Sequence, residues 1–153
     1  MTMSHKPAFT LLEILLVVAA IAVLASIVIV AINPGRQLAQ TKNAVRRADV
    51  GTIINAIYQY AIDSSGTIPS GISTTLKQIC RTGVVTSTCN TLNLVDLSVL
   101  TSTSSNSYLV SIPNDPNNTS TSGVGYFVQR TAGGRIKVTA PSAELAETIE
   151  VTK

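Results

Sequence analysis

Glu13 is the residue that most needs a chemical partner. It is followed directly by an apolar stretch, because Ser26 is the only polar residue from Ile14 to Ile32. A carboxylate within a membrane helix costs about 2.5 to 3.5 kcal/mol unless it finds a partner or stays near the interface. Cleavage after Ala8 would place the amine of Phe9 four residues, about one helical turn, before Glu13. That amine could pair with Glu13 within one chain or between neighbouring chains.

The chain contains two cysteines, Cys80 and Cys89, separated by the segment RTGVVTST. In an exported protein such a pair predicts one disulfide that closes a small loop. That loop would stabilise the fold by about 2 to 3 kcal/mol in the chain-entropy model. The alternative is a pair of reduced cysteines in a cytoplasmic protein. The spacing does not fit a zinc knuckle, so we expect no metal site here.

A second polar group surrounds Asp115. Its oxygen atoms, with those of Asn114, Asn117 and Asn118, could bind Ca²⁺. One carboxylate is few for a hard cation, so the pattern favours a solvated turn between Pro113 and Pro116. Two overlapping triplets, Asn-Asn-Thr and Asn-Thr-Ser, also satisfy the short acceptor pattern for N-glycosylation.

Catalysis, cofactors and nucleic acid are not indicated. The one histidine, His5, lies in the polar segment 1–8, and no spacing of serine, lysine and carboxylates predicts a nucleophile. The formal net charge of +3 is too small to argue for nucleic acid as a main partner. We therefore expect a protein that is not an enzyme.

The element that positions Glu13 is the segment 9–32. A helix of about 20 apolar residues spans the hydrocarbon core of a bilayer. The rest of the chain is rich in Ser, Thr and Asn and poor in aromatic residues, so it is too polar to wrap this helix on every side. The segment therefore predicts a transmembrane helix.

The segment 33–63 is predicted to be an amphipathic second half of the same helix. Pro34 and Gly35 predict a break or locally unwound stretch, read either as a compliant segment or as a plain exit from the membrane. The segment 63–66 (DSSG) predicts the helix end. The predicted face towards the core comprises Leu38, Val45, Ala48, Thr52, Ala56 and Tyr60, with Ile53, Ile57 and Ala61 beside it. We expect most of the charged residues, Lys42, Arg46, Arg47 and Asp49, to lie elsewhere.

The remaining residues, 64–153, predict one small globular head. The runs 125–130 (GYFVQR) and 135–139 (RIKVT) flank a Gly-Gly turn and predict a hairpin. The run 148–152 alternates as a final strand would. The segment 144–147 predicts a turn or short helix. We also expect a short strand at 108–112, and a short helix or strand at 92–100. Three antiparallel strands packed on the second half of the helix would make an α+β fold.

The start of the chain resembles a known family signal. The order K-P-A-F-T-L-L-E, followed directly by an apolar helix, is similar to the class III signal sequence of type IV pilins and pseudopilins. The usual form is K-G-F-T-L-x-E, and the match covers Lys6, Phe9, Thr10, Leu11 and Glu13. The chain has Ala8 where the family usually has glycine.

The resemblance implies a filament subunit with a pilin-like fold. A prepilin peptidase would remove the leader 1–8 and methylate Phe9, and Glu13 would guide each new subunit into a helical homo-oligomer. The implied partners are the pilus assembly platform, its ATPase and, before assembly, the inner (cytoplasmic) membrane. The implied final location is an extracellular fibre, the pilus or fimbrium, which serves adhesion, motility or DNA uptake.

The orientation of the chain in the membrane has two opposing signals. Four basic residues beyond the span outnumber Lys6 and His5 before it, which by the positive-inside rule places the C-terminal part in the cytoplasm. The cysteine pair and the resemblance favour the exterior.

One alternative function is a pseudopilin of a type II secretion system. The other is a monomeric, single-pass anchored binding protein.

Overall fold

The computed structural model describes residues 9–102 and 107–153. These residues form two units, which meet in sequence between Leu38 and Ala39. The cleavage position, Ala8, lies outside the described residues. Residues 39–153 are called the globular unit below.

Helix α1 spans Leu11–Ile32 and ends at Asn33, whose backbone is left-handed with φ of 50°. Asn33 also begins the next helix, because its side-chain oxygen accepts a hydrogen bond from the N–H of Arg36 at 3.2 Å. Pro34 is the first residue of that helix, where a residue without an N–H is favoured. The interruption therefore lies at Asn33, one residue before the predicted break at Pro34 and Gly35.

Helix α2 spans Pro34–Asp63. After it the chain turns through Ser65 and Gly66, whose φ angles are 54° and 87°. The N–H of Gly66 donates to the carbonyl of Ala61 at 2.7 Å, which satisfies a carbonyl at the helix end. The helix end predicted at 63–66 is confirmed.

The predicted buried face of α2 is only partly right: Ala56 is buried and Tyr60 half-buried, but Ala48 and Thr52 are exposed. Ile53, Ile57 and Ala61 are buried, but Leu38 and Val45 are 57% and 43% exposed. The face that is buried runs along Ala39, Asn43, Arg46, Val50, Ile53, Ile54, Ala56, Ile57 and Ala61. The first half of this face includes two polar side chains because the globular unit supplies partners for them.

Four strands form one antiparallel sheet in the order β1-β2-β3-β4. The strands are β1 Lys77–Cys80, β2 Gly123–Arg130, β3 Ile136–Thr139 and β4 Glu150–Thr152. The predicted hairpin is β2–β3, in which Val128 pairs with Val138, and the predicted final strand contains β4. The expected number of three strands was wrong, because β1 pairs with the outer edge of β2.

The strand predicted at 108–112 is absent from the described structure. The N–H groups of Tyr108 and Leu109 both donate to the carbonyl of Leu100 at 3.0 Å. The N–H of Ile112 donates to the hydroxyl of Thr82 at 2.8 Å. The backbone of this segment is thus satisfied by loops instead of a strand ladder. In the segment 92–100, the helical part is a single 3₁₀ turn, Ser98–Leu100.

The core lies between α2 and the sheet. It joins buried residues of α2 to those of β2 and β3, and Leu97 and Leu100, at and beside the 3₁₀ turn, complete it. The helix contributes Val50, Ile53, Ile54 and Ile57, and the sheet contributes Val124, Tyr126, Val128, Ile136 and Val138. Alternate residues of β2 and β3 face α2, as a half-buried antiparallel sheet requires. The predicted α+β, pilin-like fold class is confirmed.

Candidate functional sites on helix α1 and in the globular unit

The first turn of α1 positions Glu13. Thr10 is the N-cap, and its hydroxyl accepts a hydrogen bond from the N–H of Glu13 at 3.2 Å. Phe9 therefore precedes the cap, and the carboxylate of Glu13 lies in the first helical turn. A negative charge is favourable there because it faces unpaired N–H groups at the helix start.

The surface of α1 is apolar on every side, and none of its residues is buried. Glu13 is its only ionisable residue. The hydroxyl of Ser26 donates to the carbonyl of Val23 at 2.7 Å, so the one polar residue beyond the first turn is satisfied within the helix. Among the described residues, α1 is the one helix long and apolar enough to cross a membrane. Its surface therefore requires cover from lipid or from other protein.

The two cysteines form a disulfide. Cys80 ends β1, and Cys89 lies in the short helix α3, Thr86–Thr91; their Cα atoms are 5.8 Å apart. Both residues are buried. Of the two alternatives that the sequence leaves open, the structure has the oxidised pair. The bond ties the first strand of the sheet to helix α3.

A buried ion pair connects α2 to the loop before β2. Arg46 and Asp115 are 0% and 1% exposed. The Nε atom of Arg46 donates to Oδ2 of Asp115 at 2.7 Å, and Nη2 donates to Oδ1 at 3.2 Å. This hydrogen-bonded pairing raises the pKa of Arg46, which stays charged. The expectation that Arg46 lies away from the core was wrong.

Asn43 extends this contact to the loop between β3 and β4. Its side-chain oxygen accepts from Nη1 of Arg46 at 2.9 Å and from the N–H of Glu144 at 2.9 Å. Its Nδ2 donates to the carbonyl of Glu144 at 2.8 Å. Asn43 thus pairs with the backbone of Glu144 as a neighbouring strand would, so its burial leaves no amide atom unsatisfied.

The carboxylate of Glu144 closes the group at the surface. It accepts a hydrogen bond from Nδ2 of Asn117 at 2.6 Å and lies 3.5 Å from Nζ of Lys42. The hydrogen bond from Asn117, with the nearby charge of Lys42, lowers the pKa of Glu144. We call Asn43, Arg46, Asp115, Asn117 and Glu144 the ionic cluster. It holds α2 and two loops together.

The ionic cluster changes the interpretation of Asp115. The solvated turn favoured from the sequence was wrong, since this carboxylate is buried against Arg46. Its Oδ1 also accepts from the N–H of Asn117 at 2.8 Å. The amide of Asn118 is engaged as well, because Nδ2 donates to Asn114 and to Gly123. The guanidinium of Arg46 therefore supplies the positive charge that a calcium ion would have supplied.

Gly125 allows the loop of Asp115 to lie against β2. Its φ is 84°, and a Cβ atom at this position would lie 2.8 Å from Cβ of Asp115. A side chain here would meet both a strained backbone and a steric clash. Glycine at this position is therefore a condition for the ion pair.

A second, partly buried contact joins β2 to α2. The hydroxyl of Tyr126 donates to Oδ2 of Asp49 at 2.6 Å. Burial raises the pKa of Asp49 by more than this hydrogen bond lowers it. Burial and the same hydrogen bond raise the pKa of Tyr126, whose phenol stays protonated.

Sequence reasoning missed Asn43 and Arg46 as core residues. One signal was present, because both lie three or four residues apart on the same helical stripe as Val50, Ile53 and Ile57. Their types argued for the surface, since arginine is almost never fully buried unless it is paired. Within residues 9–102 and 107–153, no group of three or more His, Cys, Asp or Glu residues could hold a metal ion.

Comparison with known proteins gives no match: no protein-family model, no curated protein and no solved structure matches this chain. The case for a family therefore depends on the residues themselves.

Proposed function

We propose that this chain is a type IV pilin, a structural subunit that polymerises through α1 into an extracellular filament. The observation that carries the proposal is α1 itself. It has 22 residues, an apolar surface with none of its residues buried, and a single carboxylate in its first turn. Such a helix needs an apolar environment all around and a cation near one end. A bundle of identical helices with free Phe9 amines supplies both.

Assembly exchanges one apolar environment for another. Before assembly α1 rests in the bilayer, and in the filament the same residues contact neighbouring helices. Lipid is as apolar as a partner helix, so the gain comes from close packing and from pairing the Glu13 carboxylate with a Phe9 amine. This pairing makes Glu13 the residue that selects the register of the incoming subunit.

The disulfide supports an exported globular unit. Disulfides persist in oxidising compartments and are rare in the cytoplasm. We therefore place residues 39–153 outside the cytoplasmic membrane before assembly and on the filament surface afterwards. Prepilin peptidase, an assembly platform and its ATPase are the proposed partners.

The first test replaces Glu13 by alanine in the native host. We expect Glu13→Ala to insert into the membrane as the wild type does and to form no filaments, because the amine of Phe9 loses its partner. Glu147→Ala, the same change on the globular unit, is the matched control and should form filaments normally. Filaments at wild-type yield from Glu13→Ala would contradict the proposal.

The second test is the intact mass and N-terminal sequence of the protein from sheared surface material. We expect a chain that begins at methylated Phe9 and is lighter by two hydrogens than its reduced form. Processed protein confined to short periplasmic filaments would instead favour a pseudopilin. A monomeric, membrane-bound chain that begins at Met1 would favour an anchored binding protein.

A further inference from the structure

A polar cleft beside the disulfide is not used by the proposed function. It has a volume of about 380 Å³ and lies among β1, α3 and the loop that follows α3. Its chemistry comes from Lys77, Asn90, Asn93 and Asp96, with Leu94 and Val99 as apolar wall. These six residues define what we call the disulfide cleft. Its volume is within the range of small-molecule sites, which runs from about 300 to 1,000 Å³.

The walls of the disulfide cleft are held by several bonds. The Cys80–Cys89 disulfide links β1 to α3. Val95 pairs with β1, accepting from the N–H of Cys80 at 2.8 Å and donating to the carbonyl of Gln78 at 2.8 Å. The hydroxyl of Thr86 in α3 donates to Oδ2 of Asp96 at 2.6 Å. The cleft is therefore formed before any ligand arrives, which reduces the entropy lost on binding.

The polar groups of the cleft remain available to a ligand. Within the described part of the chain, the amine of Lys77 and the amides of Asn90 and Asn93 have no side-chain hydrogen bond or ion pair. Burial alone would raise the pKa of Asp96, but bonds from Thr86 and from the N–H of Ser98 outweigh it and lower the pKa. Asp96 is thus ionised at neutral pH, and each of its oxygens can accept a further bond.

This combination of groups fits a neutral ligand with several hydroxyl groups. Each hydroxyl both donates and accepts, and the cleft offers a cationic donor, an anionic acceptor and two amides that do both. A simple anion would be repelled by Asp96, and a simple cation by Lys77. Leu94 and Val99 can cover the C–H face of a sugar ring.

We propose that the disulfide cleft binds a monosaccharide unit of a carbohydrate. Lys77 and the two amides donate to ring hydroxyls, and Asp96 accepts from them. The site belongs to the globular unit, so it binds equally in a monomer and does not depend on filament formation.

The test uses the full chain in detergent, titrated with methyl glycosides of glucose, galactose and N-acetylglucosamine, and separately with inorganic phosphate. Amide resonances are followed by ¹H–¹⁵N NMR. We expect at least one glycoside to shift the side-chain amide signals of Asn90 and Asn93. Lys77→Met and Asn90→Ala should each weaken that binding by roughly tenfold, which corresponds to about 1.4 kcal/mol.

Lys137→Met, the same change on β3 outside the cleft, is the control and should bind as the wild type does. No shift with any of the three glycosides would overturn the proposal. Shifts with phosphate alone would overturn it too, because they would identify Lys77 as a simple anion contact. Wild-type affinity in Lys77→Met and Asn90→Ala would place the binding elsewhere.

Discussion

Helices α1 and α2 adjoin in sequence but differ in composition and in burial. Helix α1 is almost entirely apolar and has no buried residue, whereas α2 is polar over much of its length and buries Asn43 and Arg46 completely. The difference shows that burial depends on what the surroundings supply. The globular unit offers Asp115 and the backbone of Glu144 to α2. Among the described residues, nothing buries any part of the apolar surface of α1.

The buried pair of Arg46 in α2 and Asp115 in the loop before β2 is stable because every nitrogen of the guanidinium and both carboxylate oxygens are hydrogen-bonded. Removing two charges from water costs several kcal/mol for each ion, and their attraction offsets this only when the geometry is good and the remaining atoms are satisfied. Arg46 uses Nε, Nη1 and Nη2, and Asp115 uses both oxygens. Breaking the pair from one side should therefore be far worse than never having had it.

The largest expected effect comes from Arg46→Ala. This variant leaves the carboxylate of Asp115 buried without its cation, so we expect a loss of about 3 to 5 kcal/mol in the free energy of unfolding. Urea unfolding of the full chain in detergent, followed by near-UV circular dichroism, measures it. Arg47→Ala is the control, since its ion pair with Glu147 is largely exposed and should contribute less than about 1 kcal/mol. Equal losses in the two variants would contradict the distinction.

The corresponding change in α1 introduces a charge instead of removing one. Ala22→Lys places a cation near the middle of the helix, and we expect insertion to become less favourable by about 2.5 to 3.5 kcal/mol. The inserted fraction after alkaline extraction of membranes measures this. Val45→Lys, on the exposed side of α2, should insert normally. The unfolding of the globular unit should be unchanged in both variants, and a large loss in Ala22→Lys would show that α1 belongs to that core.

Two glycines of the globular unit also show that the surroundings decide the effect of a side chain. Gly125→Ala should lose about 1 to 3 kcal/mol, because its left-handed backbone and the nearby Cβ of Asp115 both oppose a side chain. Gly51→Ala, in the middle of α2 with nothing within 4 Å of its Cβ position, should instead gain about 0.5 to 1 kcal/mol. Thermal unfolding of the two variants under identical conditions measures both. A gain in Gly125→Ala would show that Asp115 is free to move away.

The smallest effect is a pH dependence at Asp49. Its pKa is raised in the folded state, so the folded protein binds the proton more tightly and this contribution to stability is present at low pH. It is lost as the pH rises from the ordinary carboxylate pKa through the raised value. The stability of Asp49→Asn relative to the wild type should therefore increase with pH across this window. Urea unfolding at a series of pH values tests it, and a constant difference would contradict the assignment.

Local signals in the sequence predicted much of the fold. The apolar run predicted α1, the segment DSSG predicted the end of α2, and the paired runs around Gly133 and Gly134 predicted the β2–β3 hairpin. Each of these features depends on residues close together in the chain. The strand β1 was missed because it is short and its partner, β2, lies more than 40 residues further along.

The disulfide was predictable from the sequence in part. The sequence contains one pair of cysteines, which makes the partner of Cys80 certain if a bond forms within the chain. It left the oxidation state open. The structure brings the two Cα atoms to 5.8 Å, and Val95, four residues after the end of α3, pairs with β1.

By itself the sequence determined part of the element list: an apolar helix with one carboxylate, a second helix that ends at DSSG, the β2–β3 hairpin and a final strand. Periodicity and turn residues act over a few positions, and those positions are neighbours in the sequence. Only the tertiary structure decided which polar residues are buried. Arg46 meets Asp115 across 69 positions and Asn43 meets Glu144 across 101. A charge is buried only where the fold brings its partner within hydrogen-bonding distance, and no local pattern records that distance.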